Sequence, residues 1–175
     1  MKSYIPTIDI SSLLDEKFKS VNTKKTIKKI EKACVEVGFF QITNHGIKKR
    51  NINDIVKVGK YFFNSSAKNK LKLAPKKWNN LNTNTYRGYF PADVNGKEGL
   101  DIGDLKVTKK YALKLKNSYI ECLNLNKAIN KKSINILSNY FDQIFILGEI
   151  LFKSIIQLYK KDIKNSKLAF SRLKT

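Results

Sequence analysis

The order of patterns along this chain predicts an α+β fold, in which helical periodicity is interrupted by short β-branched and aromatic runs with turn residues at the junctions. Three observations carry that reading. Residues 33–47, Ala-Cys-Val-Glu-Val-Gly-Phe-Phe-Gln-Ile-Thr-Asn-His-Gly-Ile, pass from a helix end through a strand to a tight turn. Gly38 sits where a helix must stop, Phe39–Thr43 suits a strand, and Asn44-His45-Gly46 tolerates left-handed backbone angles. Apolar residues then recur at helical spacing twice more, around 52–63 and from 134 to 159.

The elements follow in chain order. Pro6–Ile10 alternates as an outer strand would. Asn22 or Thr23 offers an N-cap, after which Ile27, Ile30, Cys34 and Val37 mark the buried stripe of a first helix. Beyond the strand and turn, Ile52, Ile55, Val56, Gly59, Phe62 and Phe63 define a second amphipathic helix ending near Asn64. Residues 74–106 are rich in Pro and Gly and read as loop, with Tyr86–Phe90 as the clearest strand-like run. Residues 109–132 form a variable Lys- and Asn-rich connection. From Ser133 a wide apolar stripe runs through Leu137, Phe141, Ile144, Gly148, Leu151, Ile155 and Tyr159, a long helix whose stripe is a packing surface. Leu168–Leu173 alternates again, like the first strand of a further unit.

With 175 residues the chain can bury about 70% of the surface its unfolded form exposes, enough for a real core. Its 35 Lys+Arg against 14 Asp+Glu give a formal charge of +21, which attracts polyanions at long range. Only Arg50, Arg87 and Arg172 are arginines, however, and the lysines are dispersed among abundant Asn and Ile. A/T-rich codons produce that composition without selection for phosphate binding. Nucleic-acid contact beyond weak electrostatic attraction is therefore not expected, since a specific binder clusters Arg on a recognisable module. The opening residues contain no apolar run of signal-peptide length, and nowhere do about 18 apolar residues occur without a charge. The expectation is a soluble cytoplasmic protein with no membrane partner. Cys34 and Cys122 lack metal-type spacing and are expected to be reduced structural thiols.

Several blocks carry a family likeness: Ile5-Pro6-Thr7-Ile8-Asp9, Gly38-Phe39-Phe40-Gln41-Ile42-Thr43-Asn44-His45-Gly46-Ile47, Tyr86-Arg87-Gly88-Tyr89-Phe90-Pro91, and Gly99-Leu100-Asp101-Ile102-Gly103-Asp104. In this order, and followed by a long helix, they closely resemble the N-terminal domain of the non-haem iron, 2-oxoglutarate-dependent dioxygenases, the superfamily that includes isopenicillin N synthase. The resemblance implies a helical cap with a few strands that packs on a double-stranded β-helix, or jelly roll, with the chain stopping before that core. It divides the sequence into an N-terminal domain at 1–108, the connection at 109–132, and the long helix and entering strand at 133–175. The connection lacks the Trp-Pro that often precedes the long helix in this family.

The resemblance also implies iron(II) and 2-oxoglutarate in the complete enzyme, and none held by this chain. Family iron is bound by two His and one carboxylate, leaving positions for cosubstrate and oxygen. This sequence has one histidine, His45. The His-x-Asp pair, the distal His and the Arg-x-Ser that grips the cosubstrate would lie beyond Thr175, and His45 matches a structural turn residue rather than a ligand. For the substrate, the resemblance points to Arg87, whose guanidinium can donate two parallel hydrogen bonds to a carboxylate, and to Tyr89 lining the same mouth. Pairing of Arg87 with Asp101 or Asp104 is the alternative. Asp93, Glu98, Asp101 and Asp104 read as loop and cap residues. The expected function is thus the substrate-access part of an oxygenase acting on a small molecule, inactive alone and completed by another polypeptide. The rivals are a non-catalytic basic binding module and an inactive stand-alone remnant.

Overall fold

The computed structural model describes residues 5–14, 20–92, 96–106 and 123–158. Leu168–Leu173, Asp93 and Cys122 lie outside them. Among the described residues the fold is α+β, helix-rich with two small sheets and no closed barrel. They pack as two compact units, one made of residues up to 48 with those from 143 onward, the other of residues 49–142.

In the first unit, β1 (Thr7–Asp9) pairs in parallel with β2 (Gln41–Thr43), in the register Thr7↔Gln41, Ile8↔Ile42, Asp9↔Thr43. Parallel neighbours need a crossover, and α1 (Val21–Glu36) supplies it. The helix begins two to three residues earlier than the sequence suggests. Ser20, not Asn22 or Thr23, is the N-cap, and its Oγ accepts the Thr23 N–H at 3.0 Å. Thr23 instead turns inward and donates through Oγ1 to the Ser12 carbonyl at 2.8 Å. The helix stops where expected: the N–H groups of Val37 and Gly38 both reach the Ala33 carbonyl, and Gly38 takes φ +81°.

The buried stripe of α1 is Thr23, Thr26, Ile27, Ile30 and Ala33. Cys34, expected on that stripe, is exposed. The strand is also shorter and less buried than its letters suggest. Phe40 packs on the core, whereas Phe39 is 72% exposed and outside the ladder. The reason is Pro6: its carbonyl accepts the Gln41 N–H at 2.8 Å, but it has no N–H with which to carry the pairing further back. Ile8, Ile10, Leu13, Ile27, Ile30, Ala33 and Leu147 form the aliphatic core of this unit.

The second unit contains α2 (Lys49–Phe63), the short α3 (Ala67–Leu71), and an antiparallel hairpin of β3 (Gly88–Phe90) with β4 (Gly99–Asp101). A 3-10 turn at Leu125–Lys127 leads into α4 (Lys131–Leu158), whose residues to 142 belong here and whose remainder belongs to the first unit. Val58 and Phe62 are the fully buried positions of α2, while Val56, expected inside, is exposed. Phe62 meets Phe63 and Tyr89 edge-on at 5.3 and 5.9 Å, and Trp78 meets Phe90 at 5.5 Å.

Loop residues 72–87 satisfy their backbone partly through turn hydrogen bonds and partly through asparagine side chains. Asn79 donates to the Leu71 carbonyl, Asn84 to that of Arg87, and buried Asn82 to those of Lys72 and Ala74 at 3.0 and 2.7 Å. Lys127 Nζ closes the remaining Asn82 valence, donating to Oδ1 at 2.9 Å. Gly88 is required where it stands. At φ +124°, a Cβ there would collide with the Leu73 carbonyl oxygen, which already accepts the Tyr89 N–H.

Candidate functional site

Arg87 and Tyr89 bracket Gly88 at the start of the β3–β4 hairpin. The half-buried Arg87 guanidinium lies over Gly103, so closely that a Cβ at 103 would overlap Nη1. Gly103 is therefore a platform for the guanidinium, a role its place in a loop-like sequence does not announce. Asp104 accepts the Lys106 backbone N–H at 2.9 Å.

Tyr89 is 5% exposed, with its ring in the aromatic core. Its hydroxyl donates to Glu98 Oε2 at 2.6 Å. The same oxygen receives Lys70 Nζ at 2.6 Å, and Lys70 also donates to the Phe63 carbonyl at the end of α2, at 3.1 Å. The ammonium sits 5.4 Å from the Tyr89 ring centroid, close enough for a cation–π contact. These groups form a partly dehydrated cluster in which the Lys70 side chain is 12% and that of Glu98 31% exposed.

The electrostatics follow from that geometry. Hydrogen bonds from Lys70 and then Tyr89 hold the Glu98 carboxyl below the usual carboxylate range. The hydrogen bond to Glu98 raises Lys70, and burial, reinforced by Glu98, raises the Tyr89 phenol. At neutral pH the cluster is an ammonium, a carboxylate and a neutral phenol. It ties α2, α3 and the hairpin together, and thereby fixes the strand that follows Arg87. Lys70 went unrecognised in the sequence because it is one lysine among many; its single distinguishing signal is a place between Leu71 and the Phe62-Phe63 pair.

His45 belongs to the first unit, in the turn after β2. Asn44 takes φ +52° and donates to Asp9 Oδ2 at 2.7 Å, while Asp9 Oδ1 accepts the Ser11 N–H at 2.8 Å. The Ser11 bonds and the Asn44 bond together lower the Asp9 carboxyl. His45 Nδ1 accepts the Ile47 N–H at 3.2 Å, which commits that nitrogen to the turn. Among the described residues, no group of three His, Cys, Asp or Glu side chains is placed to hold a metal ion. With one histidine in the sequence, the residues present do not fit a two-His, one-carboxylate iron centre. No helix among the described residues is long and apolar enough to cross a membrane.

Comparison with known proteins gives these observations a lineage. Residues 5–130 match a family model described as the non-haem dioxygenase in morphine synthesis N-terminal domain. The chain is 28% identical over 169 residues to a probable iron/ascorbate oxidoreductase of Dictyostelium discoideum, covering 86% of this chain and 44% of that protein. It is 33% identical over 105 residues to isopenicillin N synthase of Streptomyces griseus, covering 58% of this chain and 29% of the synthase. The crystal structure of full-length Neurospora crassa T7H in complex with alpha-KG superposes with a TM-score of 0.59 at 22% identity, over 86% of this chain and 42% of that one, a likeness of fold. The chain thus spans less than half the length of these relatives. With the N-terminal family model matched over most of its length, it belongs to the non-haem iron, 2-oxoglutarate-dependent oxygenase family, as an N-terminal region of that family.

Proposed function

We propose that this chain forms the substrate-access part of an isopenicillin N synthase-like oxygenase, with iron and 2-oxoglutarate held by residues outside 1–175. The observation that carries the reading is the family match over residues 5–130, taken together with a single histidine already engaged by the Ile47 N–H. The chemistry the missing groups would supply is oxidation of a small molecule. This chain's own contribution is to bind and orient that molecule.

Arg87 is the residue we assign to the substrate, through a carboxylate. A guanidinium seated against Gly103 loses little freedom on binding, which favours bidentate recognition. Tyr89, expected from the resemblance to share that contact, is assigned a supporting part: its bond to Glu98 holds the strand that follows Arg87. The polypeptide supplying the metal ligands is either continuous with this one or separate, and exposed Val35 and Phe39 offer apolar surface for it to cover. Polyanion binding by the lysine-rich surface is assigned no sequence preference and a steep loss with salt.

The test is to recover the tagged chain from its own cells and identify what accompanies it. A polypeptide with His-x-Asp, a distal His and Arg-x-Ser, together with conversion of 2-oxoglutarate to succinate, supports the proposal. In that assembly Arg87→Gln is expected to raise KM for a carboxylate substrate roughly ten- to a hundredfold, the worth of a charge-assisted hydrogen bond. An unchanged KM overturns the assignment of Arg87, and recovery of nucleic acid that survives about 0.2 M salt favours the binding-module rival.

A further inference from the structure

The solvent face of α1 is charged against the helix's own electrostatics. The helix carries five lysines and two glutamates, and its first turn holds no acidic residue. Lys24, Lys28 and Lys32 stand four residues apart in one row, and Lys25 and Lys29 in the next, a spacing at which like charges destabilise a helix. The lysines also crowd the N-terminal half, where the helix dipole is already positive, while Glu31 and Glu36 lie toward the other end. Among the described residues α1 has one ion pair, Lys32 with Glu36 at 4.0 Å. On α2 a single carboxylate serves two cations: Asp54 lies 3.8 Å from Arg50 and 3.7 Å from Lys57. Codon bias accounts for many lysines and not for that difference between two helices of one chain. A second feature is apolar. Val21 is 69% and Val35 80% exposed, although the apolar stripe of α1 is already buried. With Lys28 between them they recur every seven residues, two helical turns, and so form one line flanked by Lys24, Lys25 and Lys32. A seam with apolar ends and charged flanks is laid out as a helix-packing surface, and an arrangement unfavourable to its own helix marks a place where function outweighs local stability.

We propose that this face of α1 docks an acidic helix of a second protein. Charge complementarity and spacing argue for that partner. Successive lysines of a row rise about 6 Å, the same step as glutamates four apart on a facing helix, so two such rows stay in register along their length. Apolar side chains at the two ends of the partner helix would cover Val21 and Val35, which lie about 21 Å apart along the axis. The face does not suit nucleic acid, because α1 has neither an arginine for bidentate phosphate contact nor an aromatic ring for base stacking. Nor does it suit a lipid surface, on which a helix lies by burying its apolar side: that side of α1 is engaged in the core through Ile27 and Ile30. Val35 borders the surface assigned above to the polypeptide that carries the metal ligands. The test therefore uses a peptide without such ligands, and its result is independent of the oxygenase reading.

The experiment titrates the full chain with a synthetic helical peptide of about 20 residues, roughly 30 Å long, with glutamates in two rows at four-residue spacing and a leucine at each end of the seam between them. A second peptide of identical composition has its glutamates and leucines shuffled around the helix. Backbone NMR shifts locate the contact, and a labelled peptide gives the affinity at about 0.15 M salt, where screening suppresses long-range attraction. The patterned peptide is expected to give saturable shifts centred on α1, with the shuffled one roughly tenfold weaker, the worth of a few exposed ion pairs. Lys28→Glu separates binding from folding. It replaces two repulsive pairs, with Lys24 and Lys32, by attractive ones, so it should raise the melting temperature while weakening the peptide several-fold. Val21→Ser with Val35→Ser should weaken it as well without moving the salt dependence. Equal binding of the shuffled peptide overturns the proposal, as do shifts away from α1, undiminished binding by the Lys28→Glu chain, or a single-stranded oligonucleotide or phosphatidylserine vesicles that bind α1 more tightly than the patterned peptide.

Discussion

The two units of this protein are held together by different kinds of force. The first buries an aliphatic cluster under a two-stranded parallel sheet, with Ile8, Ile10, Leu13, Ile27, Ile30 and Ala33 supplied by β1, the turn after it and α1. The second has a core of aromatic edges, and its loops are fixed by side chains reaching backbone carbonyls: Asn79, Asn82 and Asn84, with Lys70 and Glu98 beside them. Hydrophobic burial is non-directional, so the first kind of unit tolerates exchange among apolar side chains of similar volume. Hydrogen bonds to particular carbonyls are directional, so the second specifies the position of individual groups.

That contrast can be broken by substitution, with hydrogen exchange reading each unit separately. The largest effect is expected from Ile30→Ala in the first unit, at about 2–5 kcal/mol for a buried aliphatic truncation, with Ile30→Val costing far less. Asn82→Ala should cost about 2 kcal/mol, because the Lys72 and Ala74 carbonyls and the Lys127 ammonium each lose a partner. Here no conservative replacement should help: Asn82→Leu, similar in volume, should be as damaging. If Asn82→Leu is neutral, the claim that directional bonds hold the second unit is wrong.

A pH titration sharpens the same point. Glu98 is lowered in the folded chain by Lys70 and Tyr89, so its contribution is complete above its unfolded value of about 4.3 and is lost as pH falls through the lower folded value. Lys70 is raised, so its contribution is complete below about 10.4 and is lost as pH climbs through the folded value. Exchange protection of the β3–β4 hairpin should therefore be level between those limits and fall outside them. Glu98→Gln should remove the acid-side loss. An unchanged acid limb in that variant would show that another carboxylate is responsible. The smallest expected effect is that of Ser20→Ala, about 1 kcal/mol from the lost N-cap of α1.

Legibility in the sequence followed the same division. Periodicity and turn chemistry are local, and they located α1, the stop at Gly38, β2, the Asn44-His45-Gly46 turn and α2. Val56 differs from its expected place because it lies about 160° around α2 from buried Val58, and neighbouring apolar letters do not say which is inside. The second unit hid its construction. β4 was read as loop because Gly99-Leu100-Asp101 is too short to show alternation, and the asparagines of residues 79–84 look like compositional bias until the carbonyls they serve are seen. Lys70 and Glu98 are 28 residues apart. Nothing local joins them. The likeness of the Tyr86–Pro91 block to a family motif pointed to Arg87, but only coordinates disclose its seat on Gly103.

The central proposal is that this chain is part of an iron and 2-oxoglutarate oxygenase yet does not itself hold the metal. Anaerobic titration of the purified chain with iron(II) and 2-oxoglutarate, followed by visible absorption, tests it most directly. The account predicts no metal-to-ligand charge-transfer band, since His45 is the sole imidazole and its Nδ1 is occupied by the Ile47 N–H. A band that saturates at one iron per chain, accompanied by succinate when oxygen is admitted, would contradict it.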